Sequence, residues 1–214
     1  ITPMQSWHLH IEGQVQGVGF RPFIYRLAVE EKLGGEVSNG VDGVHVRFTA
    51  TENQARRFTH RILAEAPALS RITSQHLQEI PFQDFSSFHI VPSEAHGTPR
   101  LLLTPDFALC DTCRGELYEP GNLRQGYAFT TCTYGGPRYS IIRGLPYDRP
   151  ATHMAPYNMC PSCRQEYEDP LDRRYHSQTN SCPRCGVQLQ WYLVENGEAL
   201  PQKETQEAMP GRAA

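Results

Sequence analysis

The chain has 214 residues, 39% of them hydrophobic and 20% charged, with a formal net charge of −3. That length allows one large or two small domains. It contains no apolar run long enough to span a membrane and no charged-then-apolar signal segment at its start, and its mild acidity argues against broad nucleic-acid affinity while leaving room for a local basic patch. The first residue, Ile1, suggests a trimmed or fragmentary sequence. Seven cysteines, an odd number, all lie from Cys110 onward, and six of them form Cys-x-x-Cys pairs. That spacing indicates metal ligands in a reducing compartment, so a cytoplasmic location is expected.

In chain order, residues 1–91 read as β-α-β-β-α-β. Trp7, Leu9 and Ile11 alternate with His8, His10 and Glu12 in a first strand. A helix from about Phe23 to Lys32 places Phe23, Ile24, Leu27 and Ala28 on one stripe, and Gly34-Gly35 ends it. Glu36 to Asn39 is a short strand, Gly40 to Gly43 a turn, and Val44, Val46 and Phe48 alternate through the next strand. Thr51 reads as an N-cap with Gln54 three residues on, opening a helix that carries Ala55, Phe58 and Ile62 and stops at Pro67. Strands at about Arg71–Gln78 and Ser87–Val91 complete the set. This order predicts an α+β, ferredoxin-like domain with two helices on one face of a four-stranded sheet. His8, His10 and His45 then share the other face, where a solvated or docking surface is favoured over a metal site. Arg47 and Arg57 read as ordinary surface charges.

Between the first strand and helix stands Gly13-Gln14-Val15-Gln16-Gly17-Val18-Gly19-Phe20-Arg21-Pro22. Glycines let such a turn curl with several N–H groups facing inward, an anion-binding concavity. Pro22 suits the first helical position, which sets Arg21 where the helix dipole favours an anion and where a guanidinium fork can grip phosphate. No Gly-Lys-Ser/Thr follows, so this is not a Walker loop for a magnesium nucleotide.

Residues 92–104 read as a Pro/Ser/Gly/Thr linker, 105–194 as a cysteine-rich region, and 195–214 as a disordered tail or cut linker. The cysteine-rich region is a repeat: Cys110, Cys113 and Cys132 recur fifty positions later as Cys160, Cys163 and Cys182. The first module covers about 105–150 and the second about 155–190. Cys160, Cys163, Cys182 and Cys185 have the spacing of a closed four-thiolate zinc site, and one Zn²⁺ is expected there. The first copy has Gly135 where the fourth thiolate should stand. His153 and His96 are candidate substitutes at unexpected spacing, and a second zinc is left open. Zinc ribbons often bind nucleic acid. Here Asp148, Glu166, Glu168, Asp169 and Asp172 interrupt Arg138, Arg143, Arg149, Arg173, Arg174 and Arg184, and no base-reading helix is expected after the knuckles, so nucleic acid is disfavoured.

Five stretches carry two resemblances. Gly13 to Arg21 resembles the first signature of acylphosphatases, and Val37-Ser38-Asn39-Gly40 matches their second. The resemblance implies that the loop Val15, Gln16, Gly17, Val18, Gly19 and Phe20 and the Arg21 guanidinium bind the phosphoryl group, while Asn39 orients the attacking water without a metal. Gly136 to Arg143, Leu145 to Pro150 and Asp169 to His176 look like the N-terminal half of the NiFe-hydrogenase maturation carbamoyltransferase family. That family joins an acylphosphatase domain, two four-cysteine fingers, a YrdC-like domain and a carbamoyl-transferring domain. It hydrolyses carbamoyl phosphate to carbamate and phosphate, adenylates the carbamate with ATP, and passes the carbamoyl group to a maturation partner as the precursor of cyanide ligands. By that resemblance this chain performs only the first step, with the fingers as scaffold toward downstream or separate transferase domains. The rival classes are an inactive assembly module and a zinc-ribbon nucleic-acid binder.

Overall fold

A computed structural model describes residues 3–94, 100, 102–195 and 198–202. Strand β1 (Gln5–Gln14) is followed by helix α1 (Phe20–Glu30), strands β2 (Gly34–Gly40) and β3 (Gly43–Ala50), helix α2 (Glu52–Ala64), and strands β4 (Arg71–Ile80) and β5 (Phe88–Ile90). The sheet runs β4-β1-β3-β2-β5. Its first four strands are the expected ferredoxin-like set, but a fifth corrects the four-stranded expectation: β5 lies parallel to β2 at the edge, pairing Gly35 with Phe88 and Val37 with Ile90. Leu9, Ile11, Val37, Val44, Val46 and Phe48 from the sheet pack on Ile24, Ala28, Phe58 and Ile62 from the helices, all essentially without exposure. Thr51 caps α2 as its sequence indicates, with Gln54 Oε1 accepting from the Thr51 amide at 3.0 Å.

Helix α1 begins three residues before the expected Phe23. Gly19, at φ 74, is its N-cap, and the amide of Phe23 donates to the Gly19 carbonyl at 3.0 Å. Pro22 therefore sits third in the helix, where its missing N–H costs nothing because first-turn amides have no intrahelical acceptor. The shift puts Arg21 inside the first turn, with its side chain aimed from a fixed backbone.

On the opposite sheet face His8, His10 and His45 do come together. His45 Nε2 lies 2.9 Å from Asp42 Oδ1, and His8 Nε2 lies 3.0 Å from His45 Nδ1. The His10 and His45 rings stack at 4.4 Å between centroids and 4° between planes, so one ion cannot lie in both ring planes. The group is a hydrogen-bonded polar network on a half-open face.

The described residues of the linker make contacts with the first domain. The Glu94 amide donates to the Asn39 carbonyl at 2.9 Å, Arg100 to Val41 at 3.1 Å, and Thr104 Oγ1 to the Gln16 carbonyl at 2.6 Å. Beyond it, each knuckle opens a short helix, α3 (Asp111–Tyr118) and α4 (Pro161–Glu168), with Cys110 and Cys160 as N-caps. Helices thus do follow the knuckles, and their buried residues are Cys113 and Cys163. The stretch expected to be a tail from residue 195 contributes a hairpin strand, β6 (Trp191–Glu195) pairing with β7 (Glu198–Gln202). Residues 203–214 and His96 lie outside the described residues.

Candidate active site and metal centre

The loop from Val15 to Phe20 curls because Gly17 and Gly19 adopt φ of 72 and 74, a left-handed conformation that a side chain would strain. Among the described residues, no protein acceptor satisfies the backbone N–H groups from Gln16 to Arg21. Gln16, Gly17, Gly19, Phe20 and Arg21 line a small cavity, and amides without a protein acceptor in such a turn are suited to an anion. Val15, Val18 and Phe20 turn inward into the hydrophobic core and anchor the loop. Gln16 anchors it from the other side: its Nε2 donates to the carbonyls of Gly40 and Gly43 at 2.7 and 2.9 Å. Its side chain is therefore structural, and only its amide faces the concavity.

Arg21, 7% exposed, and Asn39, 1% exposed, meet at the mouth of this loop. With the Asn39 amide oxygen turned toward the guanidinium, it accepts from Arg21 Nε and Nη2 at 3.2 and 3.1 Å. In the opposite orientation Nδ2 donates to the Tyr147 carbonyl at 3.3 Å. The first is favoured, since it places a partial negative charge rather than amide hydrogens against a cation.

The roof of the site comes from the cysteine-rich region, and here sequence reasoning missed several residues. The small cavity between Arg21 and Asn39 is also lined by Thr133, Arg138, Tyr147, His176, Ser177 and Gln178. Arg138, 3% exposed, donates from Nε to the Gly17 carbonyl and from Nη2 to the Cys132 carbonyl, the latter at 2.8 Å. The Tyr147 amide donates to Gln16 Oε1 at 2.8 Å, and its buried hydroxyl has no partner among the described residues. Asp148 reaches Arg21 Nη2 at 2.6 Å and accepts from Ser93 Oγ, so a carboxylate occupies one prong of the fork that a phosphoryl oxygen would take. Burial, and next the Arg21 charge, push His176 down to about 4, leaving it neutral at pH 7. A cavity of about 620 Å³, also lined by Arg21, Asp148, His176 and Gln178, adjoins the small one and opens outward. The signal that could have found these residues was present: Leu145 to Pro150 and Asp169 to His176 are text that a zinc knuckle does not need.

In the second module the sulfur of Cys182 lies 3.7 Å from Cys160 and 3.8 Å from Cys185, and Cys185 lies 3.6 Å from Cys163. A tetrahedron with Zn–S bonds of about 2.3 Å has edges of about 3.8 Å. These four thiols fit a structural zinc ion. In the first module Cys110, Cys113 and Cys132 also converge, but no fourth His, Cys, Asp or Glu joins them among the described residues, and His153 is exposed elsewhere. The fit is incomplete.

The modules are tied by reciprocal ion pairs. Arg124 of the first reaches Glu166 of the second at 2.5 and 2.8 Å, and Arg174 of the second reaches Glu116 of the first. Arg138, Arg173 and Arg174, which the sequence offered as positive charge for nucleic acid, are thus held inside by carbonyls, Glu116 and sulfur.

Residues 7–90 match the acylphosphatase family model, and residues 109–142 and 159–192 match the HypF finger. The acylphosphatase of Pseudothermotoga lettingae is 37% identical over 90 residues, 100% of that protein and 42% of this chain. The chain belongs to the acylphosphatase family, extended by paired HypF fingers. That combination is found in the carbamoyltransferase HypF of Rhodobacter capsulatus, 44% identical over 199 residues, which are 92% of this chain and 26% of that protein. A crystal structure of full-length HypF in the phosphate- and nucleotide-bound form superposes with a TM-score of 0.85 at 36% identity, over 91% of this chain and 26% of that one. The structure of T. kodakarensis HypF gives 0.78 at 42% identity. The chain thus spans about a quarter of the length of these HypF relatives.

Proposed function

We propose that the chain hydrolyses carbamoyl phosphate to carbamate and phosphate, the first step of a carbamoyltransferase that supplies the cyanide ligands of NiFe-hydrogenase. The observation that carries this reading is the convergence of Arg21 and Asn39 on a loop of unsatisfied amides. Those amides and the guanidinium hold the phosphoryl oxygens and stabilise the charge that builds on them in an in-line displacement. The Asn39 amide orients a water whose oxygen bonds to phosphorus as the bond to the carbamoyl oxygen breaks. Catalysis is then mainly positioning, without a covalent intermediate.

The Asp148 carboxylate must leave Arg21 before the phosphoryl group can take both prongs. Carbamate is released beneath the roof formed by the finger region, toward the outward cavity, where downstream or separate transferase domains and a hydrogenase maturation partner would receive it. No described helix is long and apolar enough to cross a membrane, and the reaction is assigned to the cytoplasm.

The fingers scaffold this arrangement. The Asp148–Arg21 pair also supports a second reading, an assembly module whose old active site is capped. Phosphate release from carbamoyl and acetyl phosphate separates the two readings. An active hydrolase turns over carbamoyl phosphate, and Arg21→Ala or Asn39→Ala lowers the rate by about a hundred- to a thousandfold while the protein stays folded. No release from either substrate would favour the capped module, and near-normal turnover in either variant would overturn the site assignment.

A further inference from the structure

The repeat permits a position-by-position comparison that the metal pattern alone does not. At an offset of fifty, Arg174 corresponds to Arg124 and Glu116 to Glu166, and these four residues make the reciprocal pairs. Among the positions that differ between the copies, two fall on the first cluster. Gly135 stands opposite Cys185, and Arg173 stands opposite Leu123. Because the modules exchange side chains, residue 173 of the second module lands on the sulfurs of the first. Arg173 Nη1 lies 3.0 Å from Cys113 Sγ and 3.7 Å from Cys110 Sγ, and Nη2 lies 2.5 Å from Glu116 Oε2. The four-cysteine module has Leu123 as the counterpart, and the arginines that do reach its sulfurs stand farther off, Arg124 Nη2 at 3.6 Å from Cys163 and Arg184 Nη2 at 3.9 Å from Cys160.

The loop also has no space for the missing thiolate. A Cβ built on Gly135 would meet the Ala108 carbonyl oxygen at 2.5 Å and the Cys110 amide at 2.9 Å. The Gly135 carbonyl instead accepts from Thr131 Oγ1 at 2.6 Å. Three sulfurs make an incomplete closed site, and one side of this trio is met by a guanidinium that stays charged at any working pH. N–H donors on sulfur do for this cluster what a cation does for the other: they neutralise it and fix its geometry.

From these two breaks in the repeat we infer that the first module is a metal-free thiol cluster held together by Arg173, and that the chain carries a single zinc ion, in the second module. The proposal is independent of the hydrolytic reading. Its test is metal counting on the intact chain, by native mass spectrometry and by Co²⁺ titration of the apoprotein. The expected result is one Zn²⁺ per chain and one equivalent of Co²⁺ giving tetrahedral thiolate bands. Cys182→Ser abolishes those bands, and Cys110→Ser leaves them unchanged. Arg173→Leu, the residue of the repeat counterpart, keeps one zinc but speeds amide exchange across α3 by about tenfold or more, the scale of a lost charge-assisted hydrogen bond. Two zinc ions per wild-type chain, or loss of the metal in Cys110→Ser, would overturn it. Should Arg173→Leu fail to fold, the wild-type count and the two serine variants still decide.

Discussion

The two halves of the molecule have interiors built on different principles. Between Trp7 and Phe88 the core is a continuous body of aliphatic and aromatic side chains. In the finger region the buried positions around cysteine sulfur are mostly polar, among them Arg124, Thr131, Arg138, Arg174, Gln178, Thr179 and Asn180, with Tyr127, Tyr147, Met154 and Tyr175 as the apolar minority. The first half is stabilised by apolar area removed from water, which acts without direction. The second depends on directed bonds, each of which leaves a buried polar group unsatisfied if its partner is lost. A half of the first kind tolerates loss of one contact. A half of the second kind fails by networks.

The largest break in this symmetry should come from metal. Removing zinc with a chelator forfeits an apparent binding energy of about 10–16 kcal/mol typical of structural sites. Hydrogen exchange should then show residues 105–190 unprotected while β1, β3 and the two helices of the acylphosphatase half stay protected; equal loss in both halves would show that their cores are one cooperative unit. Next come two substitutions of similar size and opposite location. Phe58→Ala should cost about 3–5 kcal/mol through a cavity in the apolar core. Arg124→Met should cost about 3 kcal/mol by removing the near cationic partner of Glu166, which keeps only the Asn180 amide at 3.1 Å and Arg174 at 3.9 Å. Urea unfolding checks both, and only the arginine variant should also lose zinc faster to a chelator.

Asp148→Asn should act on binding rather than folding. With the competing carboxylate gone, phosphate binds Arg21 more tightly and the KM for carbamoyl phosphate falls by about tenfold, the scale of one charge-assisted hydrogen bond. An unchanged or raised KM would mean that Asp148 does not compete for the fork.

The smallest effect is acid sensitivity. His176 in the finger half and His8 in the sheet half are both lowered to about 4, chiefly by burial. Unfolded, each takes up a proton near 6.5, so the unfolded chain binds more protons and stability drops as pH falls from about 6.5 toward 4. Denaturation midpoints at pH 7 and pH 5 should converge partly in His176→Gln and in His8→Gln.

The apolar half was readable because its signal is periodic. Leu9, Ile11, Val44, Val46 and Phe48 alternate, and the Thr51–Gln54 cap is a local pattern. Its misreadings lay at the ends. The early start of α1 turned on Pro22 being tolerated anywhere in a first turn, and β5, a strand the sequence did place at Ser87–Val91, adds a fifth member to a sheet expected to have four. The polar half gave up its metal ligands through spacing alone, yet Arg124 to Glu166 and Asp148 to Arg21 are contacts between residues far apart in the chain, with no period to announce them. Arg173 looked like a surface charge for the same reason.

The chain order of the candidate site bears on its synthesis. Every residue from Val15 to Asn39 is present once the first domain has emerged, whereas its roof waits for Thr133, Tyr147 and Gln178. Domains fold as they leave the ribosome. A nascent chain therefore passes through an interval in which the phosphate cradle is formed but uncovered, and the finger segment closes over it only after translation has run past the second knuckle.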